Sequence, residues 1–259
     1  MYTVEQIDPS KTAMIVVDMQ NDFVAPGAPM QSPAGLAMVP QLQRALACCR
    51  ASGIPVIYTA HVHRTGGYDQ GLLAHAPAIG RGDALVAGAP GAAIFPEIAP
   101  HNGEIVISKH RFSAFYGTDL EIILRGLGVT TVVITGVTTE NCCHATARDA
   151  FFRDFQVVFL ADATATGDYP DLGYGSLSAD EVQRATLVIL ARDTADVIPT
   201  ETFIDRVTAA SRVEPLLVAV ATLPRPRTAA GKDPRRPERE EGQGPTRDCP
   251  RDGGVTHGR

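Results

Sequence analysis

Short β-branched and aliphatic runs alternate with longer stretches of helical apolar spacing along the first 210 or so residues. Residues 12–17, 54–59, 104–108, 130–135, 156–163 and 195–198 are the short runs; each reads as a strand, and the first reads as a central one buried on both faces of a sheet. Between them, residues 36–51 carry helical spacing with Gly53 as a stop signal, Thr118 reads as the N-cap of a helix to about Gly126, and the Ala-rich sequence after Thr139 reads as another. Ser178-Ala179-Asp180-Glu181 is a helix-start signal for a helix to about Ala191, and a last helix runs from Glu201 to about Ser211. Strand and helix in strict alternation predict an α/β fold: a doubly wound, mostly parallel six-stranded sheet with helices on both faces.

The remaining segments lack this periodicity. Residues 64–100 are rich in Gly, Ala and Pro and read as a long loop over the edge of the sheet, and residues 164–177 as an irregular loop; long loops of this kind shape pockets. Residues 216–221 are a short apolar piece of strand or helix. Beyond Pro224 the composition collapses to Pro, Arg, Gly and Glu, which cannot bury enough surface to offset ordering entropy. The expected organisation is therefore a single domain over 1–213, a short apolar extension over 214–223 and a disordered tail over 224–259.

Charge and cysteine usage narrow the partners. The net charge of −6 hides a tail of net +3, so residues 1–223 carry −9; an acidic folded part argues against nucleic acid and favours a cationic substrate. The five cysteines form two adjacent pairs (Cys48-Cys49, Cys142-Cys143) and a stray Cys249, which is neither a disulfide framework nor a metal knuckle. Without an eighteen-residue apolar run or a basic-then-apolar leader in residues 1–11, the expectation is a cytoplasmic protein with reduced thiols and no membrane contact.

Three of the expected strands end in chemically distinctive residues: Asp18, Lys109 and, after the turn allowed by Gly136, Cys142. In the first turn of a helix, free N–H groups and the macrodipole favour a thiolate at Cys142; a carboxylate beside it can take its proton and an ammonium can stabilise the anion. The bland alternative is that Cys142 and Cys143 are two small core residues. His61-Val62-His63 follows the second strand, but a metal site needs a third ligand and no carboxylate lies at matching spacing, so no metal is expected. Phe23, His61, Phe112, Phe115 and Tyr116 are candidates to line a small-molecule pocket.

Residues 10–210 resemble the isochorismatase-like cysteine hydrolases, on three signatures. Val17-Asp18-Met19-Gln20-Asn21-Asp22-Phe23 is similar to that family's aspartate motif, Ser108-Lys109-His110-Arg111-Phe112-Ser113-Ala114-Phe115 to its lysine motif, and Gly136-Val137-Thr138-Thr139-Glu140-Asn141-Cys142 through Thr146-Ala147-Arg148-Asp149-Ala150 to its nucleophile motif. The resemblance implies Cys142 as nucleophile, Asp18 as general base and later acid, and Lys109 as electrostatic partner. It also implies a cis peptide at Val137-Thr138 that aims the Thr138 N–H, with that of Cys142, at an oxyanion. No cofactor is implied, and the chain is expected to be a homo-oligomer, a dimer or tetramer. Nicotinamidases of this family carry a metal-binding Asp-x-His where this chain reads Ala60-His61-Val62-His63, which speaks against both metal and nicotinamide. A cysteine at the nucleophile position points to cleavage of a C–N bond, in a ureido or carbamoyl compound or in a cyclic amide such as the lactam opened by streptothricin hydrolase. The alternative is a catalytically inactive member that binds a ligand or partner on the same scaffold.

Overall fold

The computed structural model describes residues 2–221, with side chains as far as residue 210. Six strands, β1 (Thr12–Val17), β2 (Val56–His61), β3 (Ile105–Lys109), β4 (Thr131–Val137), β5 (Gln156–Ala165) and β6 (Asp196–Ile198), form one sheet in the order β3-β2-β1-β4-β5-β6. Every neighbouring pair is parallel, so the sheet is wholly rather than mostly parallel. The reason is that each connection crosses a face of the sheet and none is a hairpin.

In chain order the helices are α1 (Asn21–Val24), α2 (Pro33–Ala37), α3 (Val39–Ala51), α4 (Pro77–Gly80), α5 (Leu120–Gly126), α6 (His144–Phe151), α7 (Ala179–Asp193) and α8 (Thr200–Ala221). Strand alternation divides the core in two. Met14 and Val16 of β1 pack with Leu42 and Leu46 of α3 and Phe203 and Val207 of α8. Ala13, Ile15 and Val17 face the other way, onto Leu120 and Leu124 of α5, Ala147 and Ala150 of α6 and Leu190 of α7. Each fully buried aliphatic side chain contributes about 1.5–3 kcal/mol, so the central strands anchor the fold.

Several boundaries differ from those expected. The helix over 36–51 is two, α2 and α3 meeting at Met38, because Pro40 lacks the N–H that a continuous ladder needs. Asp119 rather than Thr118 is the N-cap residue of α5, although Thr118 Oγ1 accepts from the Leu120 N–H at 3.3 Å. The capping box of Ser178 and Glu181 opens α7 as expected. Residues 216–221 continue α8, which runs through the expected boundary at 213; the tail expected over 224–259 lies outside the described residues.

Residues 64–100 are not a featureless loop at the sheet edge. They hold α4 and three single 3₁₀ turns, and bury Ile79, Leu85, Phe95 and Ile98 in the core that faces α3 and α8. Irregular spacing of those anchors conceals them from any periodic reading. The chain order reverses between β1 and β4, and the crevice at the carboxyl ends of those two strands is the usual ligand position of such a sheet.

Candidate active site

Asp18 immediately follows β1 and takes φ of 50°, a left-handed conformation unusual outside glycine that neighbouring structure must hold in place. Here Thr59 of β2 supplies that hold: its hydroxyl donates to Asp18 Oδ1 at 2.7 Å, and its carbonyl accepts from the Asp18 N–H at 3.2 Å. Lys109 ends β3, two strand spacings or about 10 Å away. Its side chain crosses the end of β2 so that Nζ lies 2.6 Å from Asp18 Oδ2. The same ammonium donates to the Arg111 carbonyl at 2.8 Å and to Cys142 Sγ at 3.4 Å.

Beyond β4 the chain turns sharply. Gly136 has φ of 109°, and a Cβ there would lie 2.0 Å from the Val17 carbonyl oxygen, so only glycine lets β4 approach β1 this closely. The Val137–Thr138 peptide bond is cis. A single π-helical turn, Thr139–Cys143, then leads into α6, with the Thr138 carbonyl accepting from the N–H groups of Asn141 and Cys143. The Thr146 hydroxyl donates to the Cys142 carbonyl at 2.7 Å and accepts from the Ala114 N–H at 3.0 Å. Asp149 accepts from the Ser113 hydroxyl. These contacts tie the nucleophile turn to the loop after Lys109, which is why the two motifs share more polar residues than the triad needs.

Asp18, Lys109 and Cys142 are all buried, and burial acts on the protonation of the cysteine and the lysine. It pushes the Cys142 thiol well above its ordinary value, and the Lys109 charge offsets this only in part. The resting nucleophile is therefore a neutral thiol rather than the thiolate that its position at a helix start suggests. Burial works to lower the Lys109 pKa, but the charge of Asp18 beside it outweighs this, so the side chain stays an ammonium. His61 is drawn down to about 2 by burial and then by the Lys109 charge, which makes it a neutral imidazole. Since Nζ only donates, His61 Nδ1, 3.4 Å away, is the acceptor and the ring proton sits on Nε2.

A cavity of about 480 Å³ opens over Cys142, and Phe23, His61, Phe112, Thr138, Glu140, Asn141 and Tyr169 are among the residues that line it. Of the aromatic candidates, Phe115 and Tyr116 do not reach it. Phe115 is 5% exposed and packs its ring on Phe155 beneath the Arg153 guanidinium, whereas Tyr116 is 66% exposed and turned to solvent. A loop places its alternate side chains by its own turns, so neighbours of Phe112 need not share its direction.

Two further groups emerge only from the structure. Glu140 Oε1 accepts from Tyr169 OH at 2.7 Å, Thr138 Oγ1 at 2.8 Å and Asn141 Nδ2 at 2.9 Å, which joins the 164–177 loop to the nucleophile turn. Burial, and then the Glu140 hydrogen bond, push the Tyr169 phenol up to about 12 and keep it a donor. Gln20 is fully buried and clasps the end of β2, donating to the His61 and Ala92 carbonyls at 2.9 and 2.8 Å and accepting from the His61 N–H at 2.7 Å. Its place inside the aspartate motif was the available signal.

The two histidines of His61-Val62-His63 part company. His61 joins Asp18 and Cys142, and His63 joins Asp69 and His110; in each group the potential ligand atoms lie within 4.8 Å of one another. The carboxylate absent from local spacing is thus supplied by Asp69, whose oxygens lie 3.4 Å from His63 Nδ1 and 3.5 Å from His110 Nδ1. His110 Nδ1 also donates to the Val62 carbonyl at 2.6 Å, so that nitrogen is not free to ligate.

Residues 12–202 match the model of the Isochorismatase domain. The chain is 36% identical over 155 residues to N-carbamoylsarcosine amidase of an Arthrobacter species, covering 58% of this chain and 57% of that protein. It is 36% identical over 177 residues to ureidoacrylate amidohydrolase RutB of Methylobacterium radiotolerans, covering 61% and 68%. Among solved structures, a cysteine hydrolase from Pseudomonas syringae pv. phaseolicola superposes with a TM-score of 0.77 at 34% identity, over 81% of this chain and 100% of that one. The chain belongs to the isochorismatase-like cysteine hydrolase family.

Proposed function

We propose that the protein is a cysteine-dependent amidohydrolase that cleaves a non-peptide C–N bond of a small molecule through a thioester. The observation that carries this reading is the buried Asp18–Lys109–Cys142 contact at the β1/β4 switch point, beneath a cavity that Cys142 itself lines. As Cys142 Sγ attacks the substrate carbonyl, Asp18 takes the thiol proton. The Lys109 ammonium stabilises the sulfur as it gains charge and pairs with the Asp18 carboxylate. The backbone N–H groups of Thr138 and Cys142 serve the oxyanion. Collapse of the tetrahedral intermediate expels an amine that takes its proton from Asp18; water then adds to the thioester with Asp18 again as base, releasing the acid and restoring the thiol.

Ureido or carbamoyl compounds and cyclic amides both suit this chemistry, which needs no cofactor. The resemblance to N-carbamoylsarcosine amidase and ureidoacrylate amidohydrolase favours the first class, and a lactam of the streptothricin type is the second. A panel assay separates them: ureido substrates release ammonia, whereas ring opening adds one water and releases nothing. Cys142→Ser, Asp18→Asn and Lys109→Ala each abolish turnover in this reading, and full activity in a purified Cys142→Ala protein refutes it. No turnover of any amide would leave the scaffold as a ligand-binding protein. The assembly is read as a dimer or tetramer, which light scattering on the purified chain decides.

A further inference from the structure

The charges around the cavity are unbalanced. Its lining includes two carboxylates, Glu140 and Asp168, and no lysine or arginine. Among the described residues neither carboxylate is in an ion pair. The nearby Lys109 ammonium does not offset them, because Asp18 neutralises it at 2.6 Å, and His61 is a neutral imidazole. Three donors converge on Glu140 Oε1 and fix the group, while its Oε2 is buried with no hydrogen-bond partner, a costly arrangement for a carboxylate oxygen. His61 Nε2, on a residue 2% exposed that also lines the cavity, is without a partner too; carrying the ring proton, it serves an acceptor such as the amide carbonyl and not the cation.

The apolar part of the wall fits the same ligand. Phe23, Phe112 and Tyr169 present aromatic surface, and ring faces attract a cation as carboxylates do. A recess with low-dielectric walls and one sign of charge focuses its field on whatever enters.

Resting on the amidohydrolase reading, we infer that the site selects amides that carry a cationic group, an ammonium or guanidinium near the scissile carbonyl, and rejects amides that carry a carboxylate. N-carbamoyl amino acids and ureido acids are carboxylates, so the inference sets this chain apart from the relatives whose substrates those are. In the bound complex the cation lies in the part of the cavity lined by Glu140, Asp168 and the aromatic wall, within the field of the two carboxylates, while the amide carbonyl lies over Cys142.

The charge preference can be read without knowing the substrate. The full chain is treated with two methanethiosulfonates, one bearing a trimethylammonium group and one a sulfonate. Each transfers its thioalkyl group to Cys142 as a mixed disulfide and releases methanesulfinate. Peptide mass mapping with fragmentation separates Cys142 from Cys143 beside it and from Cys48, Cys49 and Cys249, and rates are normalised to those of a free thiol. The expected cation-to-anion rate ratio is at least about tenfold, compressed by high salt and lowered in Glu140→Gln and in Asp168→Asn. A ratio of one or below, or a ratio indifferent to both variants, overturns the inference.

In parallel, ammonia release is measured from N-(2-aminoethyl)urea, N-(2-hydroxyethyl)urea and N-carbamoylglycine, and ring opening from lactams with and without an amine. Faster turnover of a carboxylate than of its matched cation overturns the charge inference and leaves the amidohydrolase reading standing. A high labelling ratio with no amide turned over supports the charge inference and counts against the amidohydrolase.

Discussion

His61 and Lys109 are register partners on β2 and β3, and their side chains meet beyond the strand ends with His61 Nδ1 3.4 Å from Lys109 Nζ. Two donors cannot share that contact, so the imidazole is held neutral, with its pKa drawn from 6.5 to about 2 by burial and then by the Lys109 charge. A histidine lowered in the folded state leaves the unfolded chain as the better proton binder below pH 6.5. Stability therefore falls as pH drops through 6.5 and goes on falling towards pH 2. Between pH 7 and pH 5, urea unfolding of the wild type should lose about 2 kcal/mol more than that of His61→Asn. Equal losses in the two proteins exclude the neutral-imidazole assignment.

Breaking the Asp18–Lys109 pair from one side should cost more than removing both charges. Lys109→Met strands a buried carboxylate and is expected to destabilise the fold by about 3–5 kcal/mol, whereas the double variant Asp18→Asn, Lys109→Met recovers part of that loss. Denaturant melts of the four proteins form the cycle; a double variant as unstable as the sum of the single ones contradicts it.

Burial raises the Cys142 thiol above its ordinary value and Lys109 offsets the rise only in part. Alkylation of Cys142 by iodoacetamide should accordingly be slow at pH 7 and still be climbing through pH 9, and Lys109→Ala should slow it further. A plateau near neutrality in the wild type would show a resting thiolate, as at reactive cysteines of lowered pKa.

Gly136→Ala tests the approach of β4 to β1. With φ at 109° and the Val17 oxygen 2.0 Å from the added carbon, the backbone must move. The expected cost is at least about 2 kcal/mol, accompanied by loss of activity because the Thr138–Cys142 turn is carried by the same strand end. Thermal unfolding at wild-type temperature with intact turnover would disprove the close packing.

Thr146→Val removes the hydroxyl that bridges the Cys142 carbonyl and the Ala114 N–H. Leaving a buried donor and acceptor unpaired costs about 1–3 kcal/mol. Loss of kcat with little change in KM is expected, since the bridge positions the nucleophile and does not bind substrate; a KM effect alone would place Thr146 in the binding surface instead.

The sequence by itself determined the alternation of elements and the three residues at the strand ends. β1, β4 and β5 are legible because a parallel strand covered on both faces is largely apolar, and Asp18 stands out by ending one; Lys109 stands out as the cation that closes the apolar run of the edge strand β3. Only the tertiary structure decided which side chains converge. Phe115 turned into the core while Phe112 reached the cavity, Asp69 came to His63, Tyr169 came to Glu140, and the Cys142 thiol was raised where local helix geometry alone suggested a thiolate. The physical reason is the same in each case. Periodicity encodes which face of a regular element is buried, whereas loop directions and desolvation depend on segments distant in the chain: Asn141 and Tyr169 are 28 residues apart and Thr59 and Asp18 are 41 apart, and no local pattern records such distances.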